Sequence, residues 1–118
     1  MILAIDFDGT LVSEAFPDIG IPDIHLIDAF IGAKKKGYTL ILYTCRCSNK
    51  LSEAISLCDE YGLFFDKINE NIDNDEFPED SRKIGADFYY DNRSFNWDRD
   101  AAIEHIRSLP DLRDKKDD

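Results

Sequence analysis

Short apolar runs alternate along the chain with stretches of helical periodicity. Ile2–Ile5 is a continuous aliphatic run, the pattern of a strand buried on both faces of a parallel sheet. A polar stretch from Ser13 to Pro22 follows, and then Ile24, Ile27, Phe30 and Ile31 recur at helical spacing ahead of Lys34-Lys35-Lys36 and Gly37. Lysines in a last turn complement the helix dipole and glycine suits the position that ends the helix. The lysine run therefore reads as a helix terminus, not as a binding patch. Tyr38–Tyr43 predicts a second strand. Ser48 is placed to cap a helix with Leu51, Ala54, Ile55, Cys58 and Tyr61 on one face and Gly62 at its end. Leu63–Phe65 and Phe88–Tyr90 predict a third and a fourth strand, and Trp97–Leu109 predicts a last helix. From Pro110 onward the chain is charged and expected to fray.

Alternating strands and helices predict an α/β fold: a three-layer α/β/α arrangement, Rossmann-like, with a short parallel sheet and helices on both sides. One domain over residues 1–109 accounts for the length, with 110–118 as a tail. In such sheets ligands bind beyond the carboxyl ends of the strands. The residues at those ends are therefore the candidates for chemistry.

Charge narrows the choice of partner. With 25 acidic and 14 basic residues the net charge is −11, which disfavours non-specific nucleic-acid binding and anionic membranes. Eighteen of the acids lie after residue 58, and Glu70–Asp80 holds six acids and no base. No apolar run approaches a membrane span and no basic region precedes an apolar one at the N-terminus, so a cytoplasmic location is expected. Cys45, Cys47 and Cys58 then read as reduced thiols, and with His25 and His105 the only histidines a four-ligand zinc site is not expected. Asn69-x-Asn71-x-Asp73 has the spacing of a calcium-loop start, but Asn74 and Asp80 stand where Gly and Glu are needed, so it reads as an acidic turn. Asn69 and Asn71 lie just past the third strand, where they can line the rim of a site.

The strand ends carry Asp6-Phe7-Asp8-Gly9-Thr10, Tyr43-Thr44 and Tyr90-Asp91, with Ser81-Arg82-Lys83 ahead of the fourth strand. Asp6 and Asp8 are two apart and share a side of an extended segment. Carboxylates so close raise each other's pKa unless a cation joins them. With Asp91 they form an oxygen-donor set suited to Mg²⁺, whose natural partner is a phosphate ester. Thr44 offers a hydroxyl and Lys83 an ammonium to phosphoryl oxygens, with Arg82 as the rival cation. Gly9 permits close backbone approach to a bound anion. Arg46 is placed either to reach substrate phosphate or to pair with the acids of residues 70–80.

Asp6-Phe7-Asp8-Gly9-Thr10-Leu11 resembles the first motif of the haloacid dehalogenase (HAD) superfamily. Thr44, Lys83 and Asp91 resemble its second, third and fourth motifs, over about residues 1–93. The compact spacing is similar to that of small uncapped HAD-like proteins of bacteria and phages. The resemblance implies a Mg²⁺-dependent phosphatase acting on a small phosphoester or a phosphorylated biomolecule. Asp6 would be the nucleophile that forms an aspartyl-phosphate, and Asp8 the general acid and base. Thr44 and Lys83 would hold the phosphoryl group, with Gly9, Thr10, Thr44 and Arg46 toward substrate. Mg²⁺ would be bound by Asp6, Asp91 and the main-chain carbonyl of Asp8. The fourth motif usually has two adjacent acids; here Asn92 follows Asp91, which keeps an oxygen and loses a charge. No segment is long enough for a cap domain, so the site is expected to be open or covered by another subunit of a homo-oligomer. The alternative function is a HAD-like binding module with little or no catalysis.

Overall fold

The computed structural model of the chain describes residues 1–72 and 81–113. Four strands form one parallel sheet: β1 (Ile2–Ile5), β2 (Thr39–Leu42), β3 (Lys67–Ile68) and β4 (Phe88–Tyr90), in the order β3-β2-β1-β4. The helices among the described residues are α1 (Ile24–Lys35), α2 (Ser48–Glu60) and α3 (Arg99–Ser108). A Rossmann-like α/β arrangement is thus the observed one, and β1 lies at its centre with all four residues buried.

Among the described residues the helices lie on one face of the sheet. The β1-α1-β2 and β2-α2-β3 units step across the sheet in the same direction, and right-handed crossovers put α1 and α2 on one face. There Leu3, Ile5, Leu40 and Leu42 join Phe30 of α1, Ala54 and Cys58 of α2 and Ile106 of α3 in one core. Phe30 and Tyr90 meet edge to face at 5.1 Å between centroids. The opposite face bears Ala4 and Ile41, and no described helix covers it. Residues 84–86 run there without regular structure, where Tyr89 Oη donates to the Ile84 carbonyl and accepts from Ala86 N at 3.1 Å.

Asp23 caps α1, accepting from Leu26 N at 3.2 Å, and also accepts Arg99 Nε and Nη2 at 2.8 and 2.9 Å, which ties α1 to the start of α3. Arg99 holds the Asp23 carboxyl below the usual carboxylate range, chiefly through its hydrogen bonds. At the far end of α1, Gly37 (φ +101°) reverses the chain so that Tyr38 N reaches the Ala33 carbonyl at 3.2 Å.

Three boundaries shift. Leu63–Phe65 is no strand: Gly62 (φ +83°) turns the chain so that Leu63 N donates back to the Cys58 carbonyl, burying Leu63 beneath α2. Pairing with β2 starts later, as a two-residue edge strand whose Lys67 discourages further pairing. Cys47, not Ser48, precedes α2, with no side-chain cap. The last helix starts after Asp98, which accepts from Ala101 N at 3.0 Å and serves as its cap. The tail is anchored at its base: Leu112 N donates to the Lys36 carbonyl at 2.8 Å and Tyr38 Oη to that of Pro110 at 2.9 Å. No helix among the described residues is long and apolar enough to cross a membrane. The cysteines are free, and burial pushes the Cys58 thiol up to about 12, consistent with a packing role.

Candidate active site

Beyond the carboxyl ends of β1, β2 and β4 a cavity of about 510 Å³ opens. It is lined by Asp6, Asp8, Glu14, Tyr43, Thr44, Arg46 and Asp91, together with Phe16, Arg82, Ile84 and Arg93, among others. The parallel sheet is the reason these distant residues meet. Tyr43 N continues the β2 ladder onto the Ile5 carbonyl (2.9 Å) and Asp6 N donates to the Tyr90 carbonyl (3.0 Å), so all three strands end at one level.

Asp6 is the electrostatic centre. Its carboxyl is pushed up to about 6, first by burial, then by the Asp91 charge and less by that of Asp8, against the Thr10 hydroxyl, which stabilises the anion. Thr10 Oγ1 donates to Asp6 Oδ2 at 3.1 Å. Asn92 is oriented with its amide nitrogen inward, at 3.1 Å from Asp6 Oδ2, 3.2 Å from the Asp8 carbonyl and 3.2 Å from Thr10 Oγ1. Asn92 thus acts as a donor that screens Asp6, where the sequence suggested an outer-shell oxygen. Asp91 accepts Tyr43 Oη at 3.0 Å, and burial together with this bond raises the Tyr43 pKa.

Asp8 lines the same cavity but its carboxylate is paired with Arg46. Arg46, whose side chain is wholly buried, donates from Nε and Nη2 to the two oxygens of Asp8, both at 2.7 Å. Its remaining bonds go to the carbonyls of Asp18 (2.7 Å) and Lys50 (3.3 Å), and its guanidinium lies 5.1 Å from the centroids of both Phe7 and Phe16. The bonds from Asp8 raise the Arg46 pKa further. Arg46 lines the cavity, as a residue reaching toward substrate would, with four of its five donors taken. Its carboxylate partner among the described residues is Asp8, and of the acids at 70–80 all but Glu70 lie outside the described residues.

Other assignments change too. The Gly9 N–H donates to the Val12 carbonyl (2.8 Å) and the Thr10 N–H to that of Phe7 (3.1 Å), so neither is free for an anion. Gly9 is required because φ is +82° and a Cβ would stand 2.4 Å from the end of the Asn92 side-chain amide. Thr10 serves the site indirectly, as the buried partner of Asp6 and Asn92. Thr44 stays as expected at the cavity: its Oγ1 accepts Arg46 N at 3.1 Å, which leaves its own proton to donate. Asn69 sits on the rim and accepts Thr44 N at 2.8 Å.

Lys83 is not on the cavity wall. Its Nζ lies over the Tyr89 ring, 5.6 Å from the centroid, while Arg82 lines the cavity. Buried Asn71 sets this choice. Its Nδ2 donates to the carbonyls of Ser81 (3.3 Å) and Lys83 (3.0 Å), and Gly85 N donates to its Oδ1 (2.6 Å). With the backbone pinned on both sides of Arg82, neighbouring side chains diverge. Asn71 is therefore a latch rather than a rim residue or calcium ligand; Asp73, Asn74 and Asp80 lie outside the described residues. Phe16, Tyr43 and Arg93 were not singled out from the sequence. Arg93 had a signal, two residues past Asp91 at a strand end.

Among the described residues no three carboxylate, imidazole or thiolate side chains gather around one point, because Asp8 is held by Arg46. An oxygen set nevertheless exists: Asp6 Oδ2 and the Asp8 carbonyl converge on one amide nitrogen, and Asp91 is close enough to perturb Asp6. Two carboxylates and a carbonyl, with water completing the shell, are donors that fit Mg²⁺.

No protein-family model matches the sequence, and no curated protein matches it significantly. A solved structure of a conserved protein from Bacteroides thetaiotaomicron is similar, at 31% identity and a TM-score of 0.80, over 91% of this chain and 89% of that one. At that identity over nearly the whole of both chains, this protein belongs to the same family as the Bacteroides protein.

Proposed function

We propose that the chain is a HAD-type phosphohydrolase that uses an aspartyl-phosphate intermediate. The observation that carries this reading is the convergence of Asp6, Asp8, Thr44 and Asp91 on one cavity, with Asp6 buried between like charges. A buried carboxylate destabilised in this way is a strong nucleophile, and a scaffold has no need of it.

Asp6 Oδ attacks phosphorus and the ester P–O bond breaks, with the leaving oxygen taking a proton that Asp8 has first taken up from solvent water. A water molecule then gives a proton to Asp8 and attacks the same phosphorus, releasing inorganic phosphate and restoring the Asp6 carboxylate. Arg46 fixes the position of Asp8 while each Asp8 oxygen keeps a lone pair beyond its bond to Arg46. Thr44 Oγ1 donates to a phosphoryl oxygen. Arg82, in place of Lys83, balances phosphoryl charge. Asp6, Asp91 and the Asp8 carbonyl would hold Mg²⁺, which would supply charge neutralisation.

The rival reading, a binding module, draws on Asn92, whose amide already satisfies Asp6 without a cation. Purified protein assayed for phosphate release from a panel of phosphomonoesters in Mg²⁺, beside Asp6→Asn, separates the two. Turnover by the wild type alone supports the enzyme. Equal, background rates on every ester support the module.

A further inference from the structure

From the wall of this cavity we propose that the substrate is a small phosphomonoester whose leaving group carries a flat aromatic ring, as in a nucleoside monophosphate, and that Phe16 is the stacking platform. The inference rests on the phosphatase reading for the position of the phosphate and goes beyond it in naming the group attached.

Phe16 comes from the 13–22 loop, and that loop is fastened. Ser13 N donates to the Ile21 carbonyl (2.9 Å), Ile21 N donates to Ser13 Oγ (2.8 Å), and Arg46 Nη2 grips the Asp18 carbonyl (2.7 Å). Gly20 packs so tightly that a Cβ would lie 1.9 Å from the Ser13 carbonyl oxygen. The ring is thus held in place, with the Arg46 guanidinium over one face at 5.1 Å. It is 54% exposed and lines the cavity. An exposed aromatic ring on a cavity wall, backed by a guanidinium, offers a stacking surface to a second flat group.

The surroundings agree. Tyr43 and Ile84 extend the apolar wall beyond the carboxylates. Arg82 and Arg93 line the same cavity, and neither side chain has a partner among the described residues. Their two charges can pair with phosphate oxygens, while Asp6, Asp91 and Glu14 on the same wall leave the protein side acidic without a cation. The cavity volume of about 510 Å³ holds a mononucleotide-sized molecule whole. A polyanionic chain would meet a protein of net charge −11.

The test is isothermal titration of full-length Asp6→Asn protein in Mg²⁺ with adenosine 5′-monophosphate and with ribose 5-phosphate. Stacking of one base predicts roughly 5- to 150-fold tighter binding of the nucleotide. In the Phe16→Ala background the preference falls to about onefold while ribose 5-phosphate is unaffected. Phe16→Trp, which keeps a platform, retains the preference and guards against a folding artefact. Equal affinities, no binding of either ligand, or a preference that survives Phe16→Ala overturns the proposal. Tighter binding of a 5′-phosphorylated tetranucleotide than of the mononucleotide overturns its restriction to small molecules. If the preference holds but the wild type releases no phosphate, the phosphatase reading fails and the platform stands. If esters are hydrolysed with no preference for a flat ring, the platform fails and the phosphatase stands.

Discussion

Removing Arg46 strands a carboxylate, and the cost of doing so follows from the geometry. The Arg46 side chain has no exposure and that of Asp8 only 16%, and their two contacts are both 2.7 Å. Breaking such a pair from one side costs about 3–5 kcal/mol, because the remaining charge is left without a partner. Arg46→Met is the informative change. Methionine keeps the stem of the side chain but not the guanidinium, so Asp8 loses its partner and the Asp18 and Lys50 carbonyls lose their donors; the double-variant cycle isolates the Asp8 part. Against a typical total of about 5–15 kcal/mol the variant is severely destabilised. In melting temperature the drop is about 12–20 °C for a domain of this size. Urea unfolding of wild type, Arg46→Met, Asp8→Asn and the double variant closes a cycle, with an expected coupling of about 2–3 kcal/mol. A single-variant cost below about 1 kcal/mol, or a coupling below about 0.5 kcal/mol, would refute the claim that this pair organises the site.

The remaining predictions concern neighbouring groups. Because the folded-state pKa of Asp6 is raised to about 6, the ionised form costs stability as pH climbs from about 4 through 6. In EDTA, Asp6→Asn should therefore be more stable than wild type at pH 7.5, by about 1 kcal/mol after allowance for partial exposure, with the gap closing below pH 4. Melts across that range that show no such convergence would contradict the burial argument. Asn92→Asp removes a donor from Asp6 and adds a like charge, so in EDTA it should lose about 2–3 kcal/mol, much of it recovered in millimolar Mg²⁺. Equal melts of this variant and wild type in EDTA would count against Asn92 as a donor. Asp23→Ala uncaps α1 and frees Arg99, an expected loss of about 1–2 kcal/mol by urea unfolding at pH 7. Since the Asp23 pKa is lowered, that contribution is complete above about pH 4 and disappears as pH falls below it. A difference that persists unchanged at pH 2.5 would argue that Asp23 acts by packing alone.

What the sequence conveyed was the level of the strand ends. A parallel sheet brings residues just past each apolar run to one edge, so Asp6, Thr44 and Asp91 were legible as neighbours although 85 positions separate the first from the last. What it withheld depends on which way individual side chains turn. Asp8 shares a side with Asp6 in a regular strand, but its carboxylate is paired with the distant Arg46. Arg82 and Lys83 are adjacent cations in an irregular segment, and only the bonds from Asn71 decide which of them faces the cavity. Leu63 read as strand because burial under a helix and burial in a sheet leave the same apolar mark. That α1, α2 and α3, the helices among the described residues, share one face follows from strand order and crossover handedness, which hydrophobic periodicity does not encode.

Nucleophilic attack by Asp6 can be tested without knowing the substrate. Beryllium fluoride mimics a phosphoryl group on a carboxylate oxygen, so it probes the acyl-phosphate state directly. In Mg²⁺ it should stabilise wild-type protein against thermal unfolding, by about 2.7 kcal/mol at a hundredfold excess over its dissociation constant. Asp6→Asn, lacking the accepting oxygen, should show no shift. The absence of a shift in the wild type, or an equal shift in both proteins, would contradict phosphoryl transfer through Asp6.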